Sequence, residues 1–388
     1  MTTVHGDWLD NPAAQAVLKM LEDGGHQAYA VGGCVRNALL GAPVADVDIA
    51  TDAHPERVVE LAEQAGLRPV PTGIDHGTIT VVADGTGFEV TTFRADVETD
   101  GRRAVVAFAT DITEDARRRD FTMNALYADR RGQVLDPLGV GVPDLNARRL
   151  RFIEDAETRI REDYLRILRF FRFFAWYGNP EGGMDAEALS AIAGNLDGLD
   201  VLSRERVGHE LMKLFAAPDP LSSVCVMARS GVLNHVLPGT NETPLGPLLM
   251  HEVALDLSPD PLRRLAVLGM VDGAALRLSK AQQRRLRLLQ DLIPAAATPR
   301  EIAYRHGEDA AREVIALRAA TFGAPLEKNA LPHLRAAADA EFPVKAKDLQ
   351  PALKGPALGE ALRALEADWI ASGFSLTREA LLSRAGKA

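Results

Sequence analysis

Asp46 and Asp48 stand two residues apart in Val44-Ala45-Asp46-Val47-Asp48-Ile49-Ala50. On a strand, that spacing projects both carboxylates from one face and leaves Val47 and Ile49 on the other. Like charges this close are costly unless a cation lies between them, and two divalent ions roughly 3.5–4 Å apart can clamp the attacking and leaving oxygens of a phosphoryl transfer. Hard carboxylate oxygens suit magnesium, so two Mg2+ ions held by Asp46 and Asp48 are the expected metal centre. Glu89, which alternates with Val90 and shares a face with Thr91 and Phe93, is the candidate third catalytic carboxylate, with a solvent-facing strand residue as the alternative. Fourteen residues before Asp46, Gly32-Gly33-Cys34-Val35-Arg36 sets a glycine pair between a strand and a helix start. Unhindered backbone N–H groups there can approach a triphosphate, and Arg36 can add a bidentate contact.

These groups need a scaffold, and the sequence around them predicts one. Asn11-Pro12 reads as N-cap and first position of a helix that runs to about Asp23 and stops at Gly24-Gly25. A strand over 27–31 enters the glycine pair, a helix over 35–40 ends at Gly41, and 44–50 reads as a second strand. Thr78–Val82 and Phe88–Phe93 flank Asp84-Gly85-Thr86-Gly87, which is a hairpin signature. After Asp144 the strand signals fade, and apolar residues recur at helical spacing in 164–174, 185–196, 204–215 and 262–270. The expected fold class is therefore α+β: a head with a small mixed sheet over 1–145, then an all-helical remainder divided into a neck over 146–220 and a body and tail over 221–388.

Composition narrows the function classes. The chain begins without a basic-then-apolar leader and has no apolar run near the roughly 20 residues of a membrane span, so a cytoplasmic protein with no membrane partner is expected. Cys34 and Cys225 are far apart with no Cys/His cluster, which leaves neither a disulfide framework nor a structural zinc site. A net charge of −10 argues against nucleic acid as a partner, yet residues 101–172 carry 15 Arg against 12 Asp and Glu, and residues 260–290 carry seven Lys and Arg against two Asp. Both stretches are candidate phosphate contacts, with solvated helix faces as the alternative.

Four motifs then occur in order: Gly32-Gly33-Cys34-Val35-Arg36, Asp46-Val47-Asp48-Ile49-Ala50-Thr51, Arg118-Arg119-Asp120-Phe121-Thr122-Met123-Asn124-Ala125 and Glu162-Asp163-Tyr164-Leu165-Arg166. Together they resemble the bacterial class II tRNA nucleotidyltransferase and poly(A) polymerase family over about residues 29–215. The resemblance implies that Gly32, Gly33 and Arg36 bind triphosphate, that Asp46 and Asp48 carry the metals, and that Arg119, Asp120 and Asn124 contact the nucleotide, where a ribose 2′-hydroxyl can both donate and accept. It also implies that Asp163 and Arg166 read the base. Asp163 and Arg166 are expected one turn apart on a helical face that Arg169 and Arg172 continue, with Glu162 bracing Arg166; a plain surface salt-bridge ladder has the same spacing. Asp136-Pro137-Leu138-Gly139 with Asp144-Leu145 resembles the family's hinge, and Ser203-Arg204-Glu205-Arg206 its neck helix. The departures are Asn37 where an Asp often stands, Ala45 where a basic residue often stands, and Lys347 near a position that is more often Gly. Cys34 is read as a small buried filler without chemistry.

The implied activity is sequential addition of C, C and A to the 3′ end of tRNA from CTP and ATP, with no obligate protein partner evident. Poly(A) polymerase is the alternative within the class, and specialised CC-only or A-only enzymes share the same motifs; Leu202–Leu211 looks more like the CCA enzymes. Asp100-Gly101-Arg102-Arg103 resembles the loop associated with terminal A addition, which argues against a CC-only enzyme. A silent tRNA-binding module and a small-molecule nucleotidyltransferase are the other readings. Clustered carboxylates weigh against the first, and more than 200 helical residues after the head weigh against the second. The basic face of 278–289 is expected to meet RNA phosphates. His251 is followed by Glu252, so no His-Asp phosphohydrolase pair is expected.

Overall fold

The computed structural model describes residues 2–95, 107–350 and 352–385, and it divides into two compact units: Met1–Leu202 with Arg229–Val232, and Ser203–Ala228 with Leu233–Ala388. The expected Asp100–Arg103 loop lies outside the described residues. The division falls at neither 145 nor 220, because the helices Ala156–Glu162, Leu165–Tyr177 and Ala186–Ala193 cluster with the sheet-bearing unit.

Nine strands occur among the described residues of the first unit: β1 (Ala28–Val31), β2 (Asp48–Thr51), β3 (Arg68–Gly73), β4 (Thr78–Ala83), β5 (Thr86–Thr92), β6 (Arg94–Ala95), β7 (Ala107–Phe108), β8 (Tyr127–Ala128) and β9 (Val134–Leu135). Seven form one mixed sheet in the order β3-β4-β5-β2-β1-β8-β9, and β6 and β7 form a separate two-stranded ribbon. Within the large sheet β2 runs parallel to β5, and the other pairings are antiparallel. The β4–β5 hairpin turns at Asp84 and Gly85, whose φ angles of 48° and 76° are both left-handed, as a two-residue hairpin turn of matching twist requires. Period-2 burial then sends Ile79, Val81, Phe88 and Val90 to the core face and leaves Glu89 on the open one. The helices Pro12–Asp23 and Pro55–Gln64 cover that core face with Val17, Leu18, Leu21, Val58 and Leu61. Asn11 caps the first of them by accepting from the Ala13 N–H at 2.8 Å.

Two expectations are corrected. The strand expected over 44–50 begins only at Asp48, because its antiparallel neighbour β1 ends at Val31, which pairs with Asp48, and Gly32 (φ 72°) then turns the chain into a helix. Residues 44–47 have no strand to pair with. The sequence reading also misses β3, whose Pro69 and Pro71 argue against a central strand but are tolerated at a sheet edge.

The second unit is helical throughout its described residues apart from loops and turns. Its interior holds charge as well as apolar side chains. Arg264, 1% exposed, donates to the Phe215 and Ala217 carbonyls at the end of the helix Arg204–Phe215 and grips Glu252 through both carboxylate oxygens. Arg263 joins Glu252 to Glu313. Arg285 lies on the helix Lys280–Leu292, expected to face RNA, and instead donates to Asp260 at 2.7 Å and Glu313 at 2.6 Å. That expectation is corrected for Arg285: its guanidinium belongs to the unit's internal ion network.

Breaking one member of a buried ion network strands the others without water. Arg264→Met is expected to lower the unfolding free energy by about 3–5 kcal/mol, read from urea denaturation of the intact chain. A loss under about 1 kcal/mol would show that the network contributes little.

Candidate active site

The parallel pairing of β2 with β5 sets Asp48 directly opposite Glu89. Asp46 precedes Asp48 by two residues in the unpaired segment, so the aspartates share an exposed sheet end, with only Asp48 on the strand itself. Packing around the Asp48 carboxyl, and next the Glu89 carboxylate, push it above the usual carboxylate range; Asp46 adds to this and Arg119 opposes it. All three acids line a cavity of about 640 Å³, together with Asp7, Trp8 and Asn11 from the N-terminal segment. Among the described residues no three His, Cys, Asp or Glu side chains come close enough together to hold a metal ion by themselves. The donor set is an open group of hard oxygens whose mutual repulsion a divalent cation would offset, which fits a catalytic metal site that leaves room for substrate oxygens.

The glycine turn is held from beneath. Gly32 adopts φ 72°, and its N–H donates to the Leu126 carbonyl at 3.0 Å. A Cβ there would lie 3.4 Å from Arg119 Nη1, so the turn and the third motif meet closely. Gly33 opens the helix Gly33–Leu39. Cys34 is buried behind it, and burial, reinforced by Asp48, raises its thiol to about 11, consistent with a filler role.

Arg36 is not placed as expected. It is 6% exposed, donates to Asn124 Oδ1 and to the Tyr177 hydroxyl at 2.9 Å, and lies 4.1 Å from the Tyr177 ring centroid. A guanidinium spent in this way ties the glycine helix to the third motif and to the helix Leu165–Tyr177; it does not offer an open fork to a triphosphate. Asn37 accepts from Arg36 and donates to the Pro43 carbonyl at 2.9 Å, which holds the chain leading to Asp46.

In the third motif Arg119 is more accessible than Asp120 and Asn124. It pairs with Asp115 at 2.9 Å and donates to the Tyr127 hydroxyl at 3.1 Å. Burial alone would raise Asp115, but the Arg119 and Arg118 guanidiniums and the Tyr127 hydroxyl overcome it and hold the carboxyl at about 2. Asp120 is 8% exposed and accepts from the Phe121 N–H at 2.8 Å, Asn124 Nδ2 at 2.9 Å and Arg169 Nε at 2.8 Å. It does not cap a helix start: residues Thr122–Asn124 make only a 3-10 turn. Burial would raise Asp120, yet Arg169 and Asn124 outweigh it and keep the carboxylate low. Arg169, expected to continue a base-reading face, is thus bound to Asp120.

Asp163 and Arg166 do not share one helix. The helix Ala156–Glu162 ends at Asp163, which is extended (φ −154°, ψ 104°), and the next begins at Leu165. Asp163 accepts from the Leu165 N–H at 3.1 Å, stabilising the new helix start, and Arg166 lies in its first turn. Glu162 does brace Arg166, which also donates to the Arg159 carbonyl at 2.8 Å and the Arg118 carbonyl at 3.4 Å. Arg172 lies over the Phe173 ring, 4.2 Å from its centroid. The structure therefore joins Arg36, Asn124, Asp120 and Arg169 into one polar network, pairs Arg119 with Asp115 and Tyr127 close to the Gly32 turn, and sets Asp48 opposite Glu89 with Asp46 two residues away at the sheet end. Sequence reasoning missed Asp115, Tyr127 and Tyr177. Only Asp115 left a signal, four residues before Arg119 with Asp111 as helix cap.

Known proteins resemble this chain in sequence and fold. A family model described as the poly A polymerase head domain matches residues 28–151, and one described as a probable RNA and SrmB-binding site of polymerase A matches residues 183–243. The mitochondrial CCA tRNA nucleotidyltransferase 1 of Mus musculus is 34% identical over 381 residues, covering 92% of this chain and 86% of that protein. The CCA-adding enzyme of Geobacillus thermodenitrificans is 38% identical over 231 residues, covering 59% of this chain and 55% of that protein. The crystal structure of the Bacillus stearothermophilus CCA-adding enzyme in complex with CTP superposes with a TM-score of 0.75 at 29% identity, covering 97% of each chain. The chain belongs to the family of CCA-adding tRNA nucleotidyltransferases, enzymes whose nucleotidyl transfer depends on metal.

Proposed function

We propose that this chain adds C, C and A in sequence to the 3′ end of tRNA from CTP and ATP, in the cytoplasm, with two Mg2+ ions held by Asp46 and Asp48. The observation that carries the reading is the register of β2 against β5, which gathers Asp48, Glu89 and Asp46 beside the glycine turn and Arg119. The tRNA 3′-hydroxyl releases its proton to solvent as its oxygen bonds to the α-phosphorus of the nucleotide, the bond to the bridging oxygen breaks, and pyrophosphate leaves. Divalent cations, held by Asp46 and Asp48, would supply positive charge to the attacking and leaving oxygens. Glu89 completes the carboxylate set. The Gly32-Gly33 backbone lets the nucleotide approach closely, and Arg119, with Asp120 and Asn124 behind it, holds the sugar and phosphate end. Arg36 acts from beneath by fixing the glycine helix.

Asp163 and Arg166 take the place of a template. A carboxylate accepts from the exocyclic amino group of C or A, and a guanidinium donates to the ring acceptor beside it. U and G present a carbonyl oxygen where that amino group should be, so two acceptors would face each other. Asp163 stands at the break between the helices Ala156–Glu162 and Leu165–Tyr177, with Arg166 in the first turn of the second, and this placement outside a continuous helix supports the role.

Asp46→Ala and Asp48→Ala are each expected to lower nucleotide addition by about three orders of magnitude or more while tRNA affinity stays within about twofold, measured on transcripts ending at the discriminator base, at C or at CC. Wild-type turnover in either variant would remove the metal assignment. Chelation should abolish activity and added Mg2+ restore it. Asp163→Ala and Arg166→Ala are expected to relax discrimination against UTP and GTP by roughly ten- to a hundredfold as well as slowing addition; unchanged selectivity would leave the pair a helix-start brace. Arg284→Ala, at an exposed position, should weaken tRNA binding and flatten its salt dependence at constant stability, whereas Arg285→Ala should first lower the unfolding midpoint. An unaltered salt slope for Arg284→Ala would take that helix out of the RNA surface.

A further inference from the structure

We propose that the cavity beside the three carboxylates seats the terminal nucleotide of the acceptor strand, with the Trp8 indole as the surface on which its base stacks; this rests on the CCA-adding reading above. Two substrates must meet at Asp46, Asp48 and Glu89. The residues assigned to the incoming nucleotide, among them Gly32, Arg119, Asn124 and Arg166, are not among the described residues that line this cavity. The carboxylates therefore have two sides, one belonging to the nucleotide and the other open. At about 640 Å³ the open side falls within the range of small-ligand sites, roughly 300–1,000 Å³. Its described lining includes Asp7, Asp46, Asp48 and Glu89 and neither Lys nor Arg, so it offers no cationic cradle for a triphosphate tail and leaves acceptor oxygens for a sugar hydroxyl.

Trp8 lies in the short helix Asp7–Asp10, half-buried, packed against the apolar cluster beneath the sheet as well as lining the cavity. A stacking surface also matches the chemistry of the task. The acceptor end changes with every turn of the reaction, from a discriminator base to C and then to a second C. Hydrogen-bond readout would have to be rebuilt each time, whereas an aromatic face stacks on any base.

The test is steady-state kinetics of the full chain on tRNA transcripts ending at the discriminator base, at C and at CC. Trp8→Leu is expected to raise the acceptor KM about tenfold for all three ends while the CTP and ATP KM values stay within about twofold, and Trp8→Phe should recover most of the loss. Thr86→Tyr, at an exposed strand position on the same cavity, should raise the acceptor KM alone by filling the space, and it decides the matter if Trp8→Leu does not fold. Unchanged acceptor KM in these variants, or nucleotide KM values that rise in parallel, would overturn the proposal. A wild-type chain that extends none of the transcripts would remove the CCA-adding reading and this proposal with it.

Discussion

The buried Asp120 carboxylate is the interaction on which the head's working parts depend. Taking a carboxylate out of water costs several kcal/mol, and it is tolerable only when paired and fully hydrogen-bonded. Asp120 meets that condition with Arg169 from the helix Leu165–Tyr177 and with Asn124 and the Phe121 N–H from its own motif. Asn124 then turns its amide oxygen to Arg36, and Arg36 reaches Tyr177. One chain of polar contacts thereby fixes the glycine helix, the third motif and both turns of the helix Leu165–Tyr177 that carry Arg169 and Tyr177. The tilted ring contacts of Phe121 with Phe152, 5.0 Å between centroids, and with Phe173, 5.2 Å, anchor the same strip from its apolar side.

The second unit solves the same physical problem for another end. Arg263, Arg264, Glu252 and Glu313 neutralise one another where water is excluded, and Arg264 also satisfies carbonyls left over at a helix end. Such a network adds little net stability over an apolar core, but it admits few alternative packings.

Much of the head was legible in the residues. The hairpin at Asp84-Gly85, the Asn11-Pro12 helix start and the alternation that exposes Glu89 each follow from local chemistry, and the structure contains all three. What the sequence could not show was which polar groups were already engaged. Arg36 and Arg119 look alike as motif arginines, yet one is buried against Tyr177 and the other stays partly open, because their partners come from 141 and four residues away. Arg284 and Arg285 are neighbours on one helix, and only the fold assigns the second to Asp260 and Glu313. The break at Asp163 was hidden for a related reason: no glycine or proline marks it, and periodicity runs through it.

The outermost strands of the large sheet carry a consequence for solubility. An exposed strand edge is a template for pairing with another chain. Here one edge is β3, interrupted by Pro69 and Pro71 and by a register shift between Val70 and Gly73, and the other is β9, only two residues long. Neither presents a continuous row of N–H and C=O groups. The sheet is thus shielded from edge-to-edge aggregation by its own covalent structure, at the one place where a mixed sheet with an exposed catalytic end would be vulnerable during synthesis.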